Sequence, residues 1–298
     1  MDYSFLDPAV LGRLGAIPLE SRQPMLGNVA GRHRSPNRGS SVEFAEYREY
    51  VQGDDTRRLD WKAYARSDRH YIKEFEADTN LLAHMIVDTS GSMEFADKGI
   101  TKIEFARQIA STLSYLAINQ GDAAGLSCIS QKLDLEIPPR RRASHLQGIF
   151  KTLSEVTPKG DTGLIQGLHS IAEKVQRRGL IVILSDLFCD PDEFSDALQH
   201  LRYRKHDVVV FHLMDPQEID FEFERPHRFV DLEDGSPIVS EPTLIADEYR
   251  EIVQDFLTDT KRRCHDANAD YRLVRTSESY ESVLSTFLLD RLPKKGKR

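Results

Sequence analysis

Apolar residues run from Leu81 to Val87, interrupted only by His84, and the run stops at Asp88. A continuous apolar segment of that length predicts a strand covered on both faces, as in a parallel sheet. Thr101 with Glu104 forms a capping-box pattern, after which Ile103, Ala106, Ala110, Leu113 and Ala117 keep helical spacing until Gly121. Ala124–Ile129 and Leu133–Ile137 predict strands, and Leu146–Val156 a helix. Leu164, Ile165, Leu168, Ile171, Ala172 and Val175 mark an amphipathic helix, and Leu180–Leu184 is again a continuous apolar strand. A helix over Pro191–Tyr203 and a strand over Val208–Leu213 follow. An acidic segment, a helix from Thr243 to Cys264, a strand over Tyr271–Val274 and a helix over Tyr280–Leu289 complete the pattern. The alternation predicts an α/β fold with a doubly wound, mostly parallel sheet over residues 81–290.

Upstream, the periodicity changes. Gly12, Gly15, Pro18, Pro24, Gly27, Gly31, Pro36 and Gly39 interrupt every apolar run, so 1–41 reads as a flexible basic arm. Between Val42 and Asn80, aromatics (Phe44, Tyr47, Tyr50, Trp61, Tyr64, Tyr71, Phe75) alternate with charges of both signs. Gly53–Asp54–Asp55 reads as a turn, Thr56–Ala65 as a short helix, and Ile72–Glu76 alternates as an edge strand does. Acids are as common as bases here, so 42–80 is expected to fold as an ion-paired segment packed on the main domain, around Trp61, Arg48, Asp54, Arg58 and Asp60. Residues 291–298 form a basic tail.

Charge narrows the function classes. A net charge of −8 on 298 residues argues against a general nucleic-acid binder. The distribution is uneven: residues 215–259 hold 14 acids against three arginines, whereas Ser21–Ser41 holds four arginines and no acid. Neither a signal peptide nor an apolar run of the roughly 18 residues that a membrane helix needs is visible. Cys128, Cys189 and Cys264 lack a paired spacing and read as reduced thiols of a cytoplasmic protein.

The chemistry gathers at strand ends. Asp88-x-Ser90-x-Ser92 places a carboxylate and two hydroxyls on one loop, Thr162 adds a hydroxyl before a helix, and Asp186 follows the second buried strand. These are hard oxygen donors, suited to Mg²⁺ or Mn²⁺, at the sheet edge where open α/β folds bind ligands. Each signal also has a plainer reading: a strand-end Asp turn, a helix cap at Thr162 or Asp161, a second strand-end turn.

In that order, Asp88, Ser90, Ser92, Thr162 and Asp186 resemble the von Willebrand factor A fold with its metal-ion-dependent adhesion site. The resemblance implies serines and threonine on Mg²⁺ (or Mn²⁺), aspartates acting largely through water, and one position left for a partner's carboxylate. Glu43–Tyr50, Gly53–Asp54–Asp55, Arg58, Asp60–Trp61, Ala65–Arg66 and Tyr71–Glu76 are similar to a bacterial family, domain of unknown function 58. Its members join such a segment to a von Willebrand A-like domain and are typically encoded beside MoxR-type AAA+ ATPases. Many carry amino-terminal membrane helices, and none is expected from the apolar pattern here.

Enzyme signatures fit poorly. A phosphoaspartyl hydrolase needs a second Asp where Ser90 stands, and Thr89–Met93 lacks the glycines of a nucleophile elbow. No P-loop or G-x-G-x-x-G follows a strand. The expectation is a cytoplasmic, non-enzymatic, metal-dependent adaptor or co-chaperone for a MoxR-type ATPase and a client bearing an acidic residue. A metal-dependent hydrolase at the same crevice, and a nucleic-acid adaptor using Arg32, Arg34, Arg38 and Arg140–Arg142, are the alternatives.

Overall fold

The computed structural model describes residues 3–22, 43–49, 71–76 and 81–293, apart from 132, 224, 226, 231 and 233–236; of 43–49 and 71–76 it describes the backbone. Contacts divide the chain into two units, 1–22 with 82–298, and 23–81. In the latter, β1 (Glu43–Glu49) pairs antiparallel with β2 (Tyr71–Glu76), with a register shift between Phe44 and Glu46. The expected turn at 53–55, the helix at 56–65, the ionic network around Trp61, residues 23–41 of the arm and the tail from 294 lie outside the described residues.

The larger unit is a six-stranded sheet between helices. It contains β3 (Leu82–Asp88), α2 (Lys102–Asn119), β4 (Ala123–Ile129), β5 (Leu133–Arg140), α3 (Ala143–Glu155) and α4 (Leu164–Lys174). It continues with β6 (Leu180–Ser185), α5 (Pro191–Tyr203), β7 (Asp207–Met214), α6 (Pro216–Asp220), the hairpin β8 (His227–Val230) and β9 (Pro237–Ser240), α7 (Pro242–Asp266), β10 (Asp270–Arg275) and α8 (Tyr280–Asp290). The strand order is β10-β7-β6-β3-β4-β5, parallel throughout except for the antiparallel edge β5. Every residue of β4, β6 and β7 is buried, which is why these stretches are mostly apolar in sequence and Leu180–Leu184 is an unbroken apolar run.

The helix α2 covers one face and α4, α5 and α7 the other, as right-handed crossovers on either side of the reversal would place them. On the second face Leu164, Leu168 and Ile171 of α4, Phe194, Leu198 and Leu201 of α5, and Cys264 of α7 share a core with Ile86, Ile183 and Val210. On the first, Phe211 of β7 meets Phe287 of α8 edge to face, with ring centroids 5.2 Å apart. The chain passes from β3 to β4 in one direction and then returns to β6 on the far side of β3. Strand order therefore reverses between β3 and β6, and the region beyond their carboxyl ends is where open α/β sheets form a ligand crevice.

Residues 3–22 depart from the flexible arm expected of 1–41. Asp7 accepts the Ala9 N–H at 2.8 Å and starts a helix, α1 (Pro8–Leu14), with Pro8 in its first turn. Phe5, Val10, Leu14 and Leu19 are buried, and α1 packs against α2 and α8. The glycines and prolines delimit a short helix here instead of preventing one. Its seven residues are too few to display a period, but Asp7-Pro8 followed by Val10 and Leu14 is the signal that was present.

Candidate functional site

Asp88 is the last residue of β3 and is 1% exposed. Its Oδ1 accepts the Ser90 N–H at 3.0 Å. Its Oδ2 accepts the Ser185 hydroxyl at 2.6 Å and the Thr162 hydroxyl at 3.3 Å. Ser90 Oγ lies 3.1 Å from Ser92 Oγ, in a 3-10 turn spanning Gly91–Glu94. Four of the five residues singled out from sequence thus form one hydrogen-bonded group. Ser90 is wholly buried, while Ser92 and Thr162 form its partly exposed side.

Backbone contacts hold the loops together. Thr89 N–H reaches Ile129 O at 2.7 Å, Gly91 N–H reaches Gly160 O at 2.8 Å, and Lys159 N–H reaches Thr89 O at 3.0 Å. Gly163 N–H bonds Ser130 O, which draws the Thr162 loop onto the end of β4. A Cβ at Gly163 would lie 2.3 Å from Gln131 O, so a side chain there would force backbone apart.

Asp186 stands on the loop after β6, 1% exposed, and its carboxylate faces a different partner. Lys102 Nζ lies 2.6 Å from Asp186 Oδ2 and 2.6 Å from Glu218 Oε1, with the lysine side chain fully buried. Glu218 is set by the capping box of α6: its Oε2 accepts the Asp215 N–H at 2.8 Å. His212 Nε2–H donates to the Asp186 carbonyl at 2.8 Å, and Tyr271 O–H donates to His212 Nδ1 at 2.9 Å. That chain of donors fixes a neutral imidazole, whose pKa burial lowers to about 4.

Electrostatics follow from this burial. Desolvation, reinforced by the charge of Asp186, pushes the Asp88 carboxyl up to about 6, against its hydrogen bonds from Ser185 and Ser90. Burial opposes the charge of Lys102, but Asp186 and Glu218 outweigh it and raise its pKa. Burial and the neighbouring carboxylates, Asp88 first among them, push the Cys189 thiol up to about 12, so this cysteine is held as an unreactive thiol.

The donor types suit a hard cation: Asp88, Ser90, Ser92 and Thr162 bring one carboxylate and three hydroxyls together at the switch point, and Asp186, paired with Lys102, stands at the end of the neighbouring strand. Among the described residues there is no group of three or more His, Cys, Asp or Glu side chains that could hold a metal ion, so the hydroxyls are needed to complete any donor set here. Lys102, Ser185, His212 and Glu218 were not singled out as site residues from sequence. Lys102 carried a signal, since it stands at helical spacing from Phe105 and Ile109 on the buried side of α2. Glu218 carried none that periodicity could find, because α6 is five residues long.

The profile of a family described as "Protein of unknown function DUF58" matches residues 46–262. Uncharacterized proteins of Mycobacterium bovis and Mycobacterium tuberculosis are 25% identical over 291 residues, covering 96% of this chain and 90% of theirs. Among solved structures, the conserved hypothetical protein BatB from Bacteroides thetaiotaomicron superposes with a TM-score of 0.51 at 15% identity, covering 71% of this chain and 98% of that one. The SpRpn10 VWA domain superposes with a TM-score of 0.43 at 13% identity over 70% of this chain and 95% of that domain. Among the described residues no helix is long and apolar enough to cross a membrane.

Proposed function

Because the chain belongs to the DUF58 family and has a von Willebrand factor A-like fold, we propose that it is a metal-dependent protein–protein interaction module without catalytic activity of its own. The observation that carries this reading is the joining of Asp88 to Thr162, with Ser90 and Ser92 touching each other, at the point where strand order reverses. Asp88, Ser90, Ser92, Thr162 and Asp186 would hold Mg²⁺ or Mn²⁺, which would supply residual positive charge for an acidic side chain of a partner. The chain's own contribution is to collect the donors and to fix them before binding. Ser185 and the Ser90 N–H orient Asp88, and Gly163 brings Thr162 within reach.

The partner we propose is a MoxR-type AAA+ ATPase or a client it remodels, with this protein acting as a cytoplasmic adaptor or co-chaperone in complex assembly. The test is capture of the cognate ATPase in Mg²⁺, in chelator, and with Mn²⁺ added back, using wild type, Asp88→Ala and Thr162→Ala. Complex formation should require metal and be weakened by both substitutions while the domain remains folded. Equal capture in chelator and with Asp88→Ala would exclude the crevice as the docking site.

A further inference from the structure

The crevice already contains a cation of the protein's own. Lys102 projects from the first turn of α2 with its side chain excluded from solvent, and its Nζ bridges Asp186 Oδ2 and Glu218 Oε1 at 2.6 Å each. The rings of Phe188 and Phe95 lie with centroids 5.1 and 5.8 Å from the same nitrogen. The two carboxylates differ in freedom. Glu218 has both oxygens engaged, one by Lys102 and one by the Asp215 N–H at 2.8 Å. Asp186 follows β6 where Asp88 ends the neighbouring parallel strand β3, with Val87 in register with Leu184. A divalent ion taken up beside Asp88 and Asp186 therefore meets a fixed positive charge bonded to one of its own ligands. In a buried setting, like charges a few ångströms apart repel strongly.

We propose that Lys102 is a tethered counter-cation that competes with the metal for Asp186, with Glu218 as the alternative seat that lets the ammonium yield. This rests on the metal reading of the crevice and adds its regulation: the affinity is set by how Lys102 divides itself between two carboxylates. The device keeps Asp186 paired when no metal is present, since an unpaired buried carboxylate is costly. It also makes the metal weakly held and exchangeable. If Lys102 instead served to position Asp186 for the ion, its removal would have the opposite effect on affinity, so the two roles separate by sign.

Calorimetric titration with Mn²⁺ alone tests this on the full chain. Lys102→Met should bind Mn²⁺ about tenfold more tightly than wild type, because a repelling charge is gone and Asp186 is free. Glu218→Gln should bind more weakly than wild type, because Lys102 then rests wholly on Asp186. The double variant Lys102→Met/Glu218→Gln keeps the formal charge of the crevice and should still bind more tightly than wild type. It carries the test should Lys102→Met alone prove too unstable to titrate. Unchanged or weaker binding in the double variant would overturn the competition. Should wild type give no more heat than Asp88→Ala while the double variant binds, the competition stands and the metal-dependent module falls for the native chain. Should no variant bind Mn²⁺, both fall.

Discussion

His84 sits in the middle of β3, 1% exposed, with Nε2 2.7 Å from Ser127 Oγ and no partner for Nδ1 among the described residues. Its surroundings are those of a core histidine with one ring nitrogen satisfied. Gly125 makes room for it, since a Cβ there would lie 2.8 Å from Nδ1. Burial lowers its pKa from 6.5 to about 4; Glu136 pulls the other way and His206 adds to the depression. The unfolded chain therefore takes up this proton first as pH falls. Stability from a neutral His84 is complete above pH 6.5 and is lost as pH falls towards 4, at a cost of about 2–3 kcal/mol by the acid end. His212 contributes a slope of the same sign. Asp88 opposes both: its raised pKa means that stability is lost as pH rises from its ordinary 3.8 to about 6. Urea melts at pH 7 and pH 4.5 should show His84→Gln losing about 2 kcal/mol less than wild type over that interval. An identical loss would mean that His84 is charged in the folded protein.

Gly163 shows how an element, not a ligand, decides whether donors meet. Gly163→Ala should separate the Thr162 loop from β4, destabilise by about 1–3 kcal/mol through overpacking, and weaken Mn²⁺ binding although no donor atom is changed. Gly148→Ala in α3, where nothing lies within 4 Å of the added carbon, should instead stabilise by about 0.5–1 kcal/mol. If Gly163→Ala left both melting and Mn²⁺ affinity as they are, the close approach would be without consequence. At this scale legibility followed length and burial. The buried strands β3, β4, β6 and β7 and the helices α2, α4 and α5 could be read because an apolar face repeats along them. α6, β8 and β9, of four or five residues in an acidic stretch, left no period to read. β5 continues past Pro138 and Pro139 to Arg140 because an edge strand can spare N–H groups that a central strand cannot. The capping box at α2 is half realised: Thr101 accepts the Glu104 N–H at 3.3 Å, but the Glu104 side chain turns to Arg107 at 3.0 Å. A motif of residue types fixes which partners are chemically possible, and the neighbours that folding supplies choose among them.

Within the larger unit, residues 17–22 and Arg291 are tied at the edge of the sheet opposite the candidate site. Asp207 and Asp270 are the first residues of β7 and β10, whereas Asp88 is the last of β3. Arg291, just after α8, is fully buried and lies 2.7 Å from Asp207 Oδ2 and 3.5 Å from Asp270 Oδ2. Asp207 also accepts the Ser21 hydroxyl and the Arg22 N–H, each at 2.7 Å. Gln120 at the end of α2 bonds Leu19 N–H and Ile17 O. Nothing in this clasp touches a candidate metal donor, so stability and binding should separate cleanly. Arg291→Met leaves a buried aspartate short of its guanidinium and should cost about 3 kcal/mol or more, since breaking one side of a buried pair strands the other charge. Asp207→Asn/Arg291→Met removes both charges, keeps an acceptor for Ser21 and Arg22, and should recover most of that loss. Mn²⁺ affinity, measured well below the unfolding transition, should be the same in both variants and in wild type. Failure of the double variant to recover would show that the clasp acts through other contacts of Arg291, such as its guanidinium 5.0 Å from the centroid of the Phe287 ring, and not through its pairing with Asp207. A change in Mn²⁺ affinity would show that the two edges of the sheet are coupled.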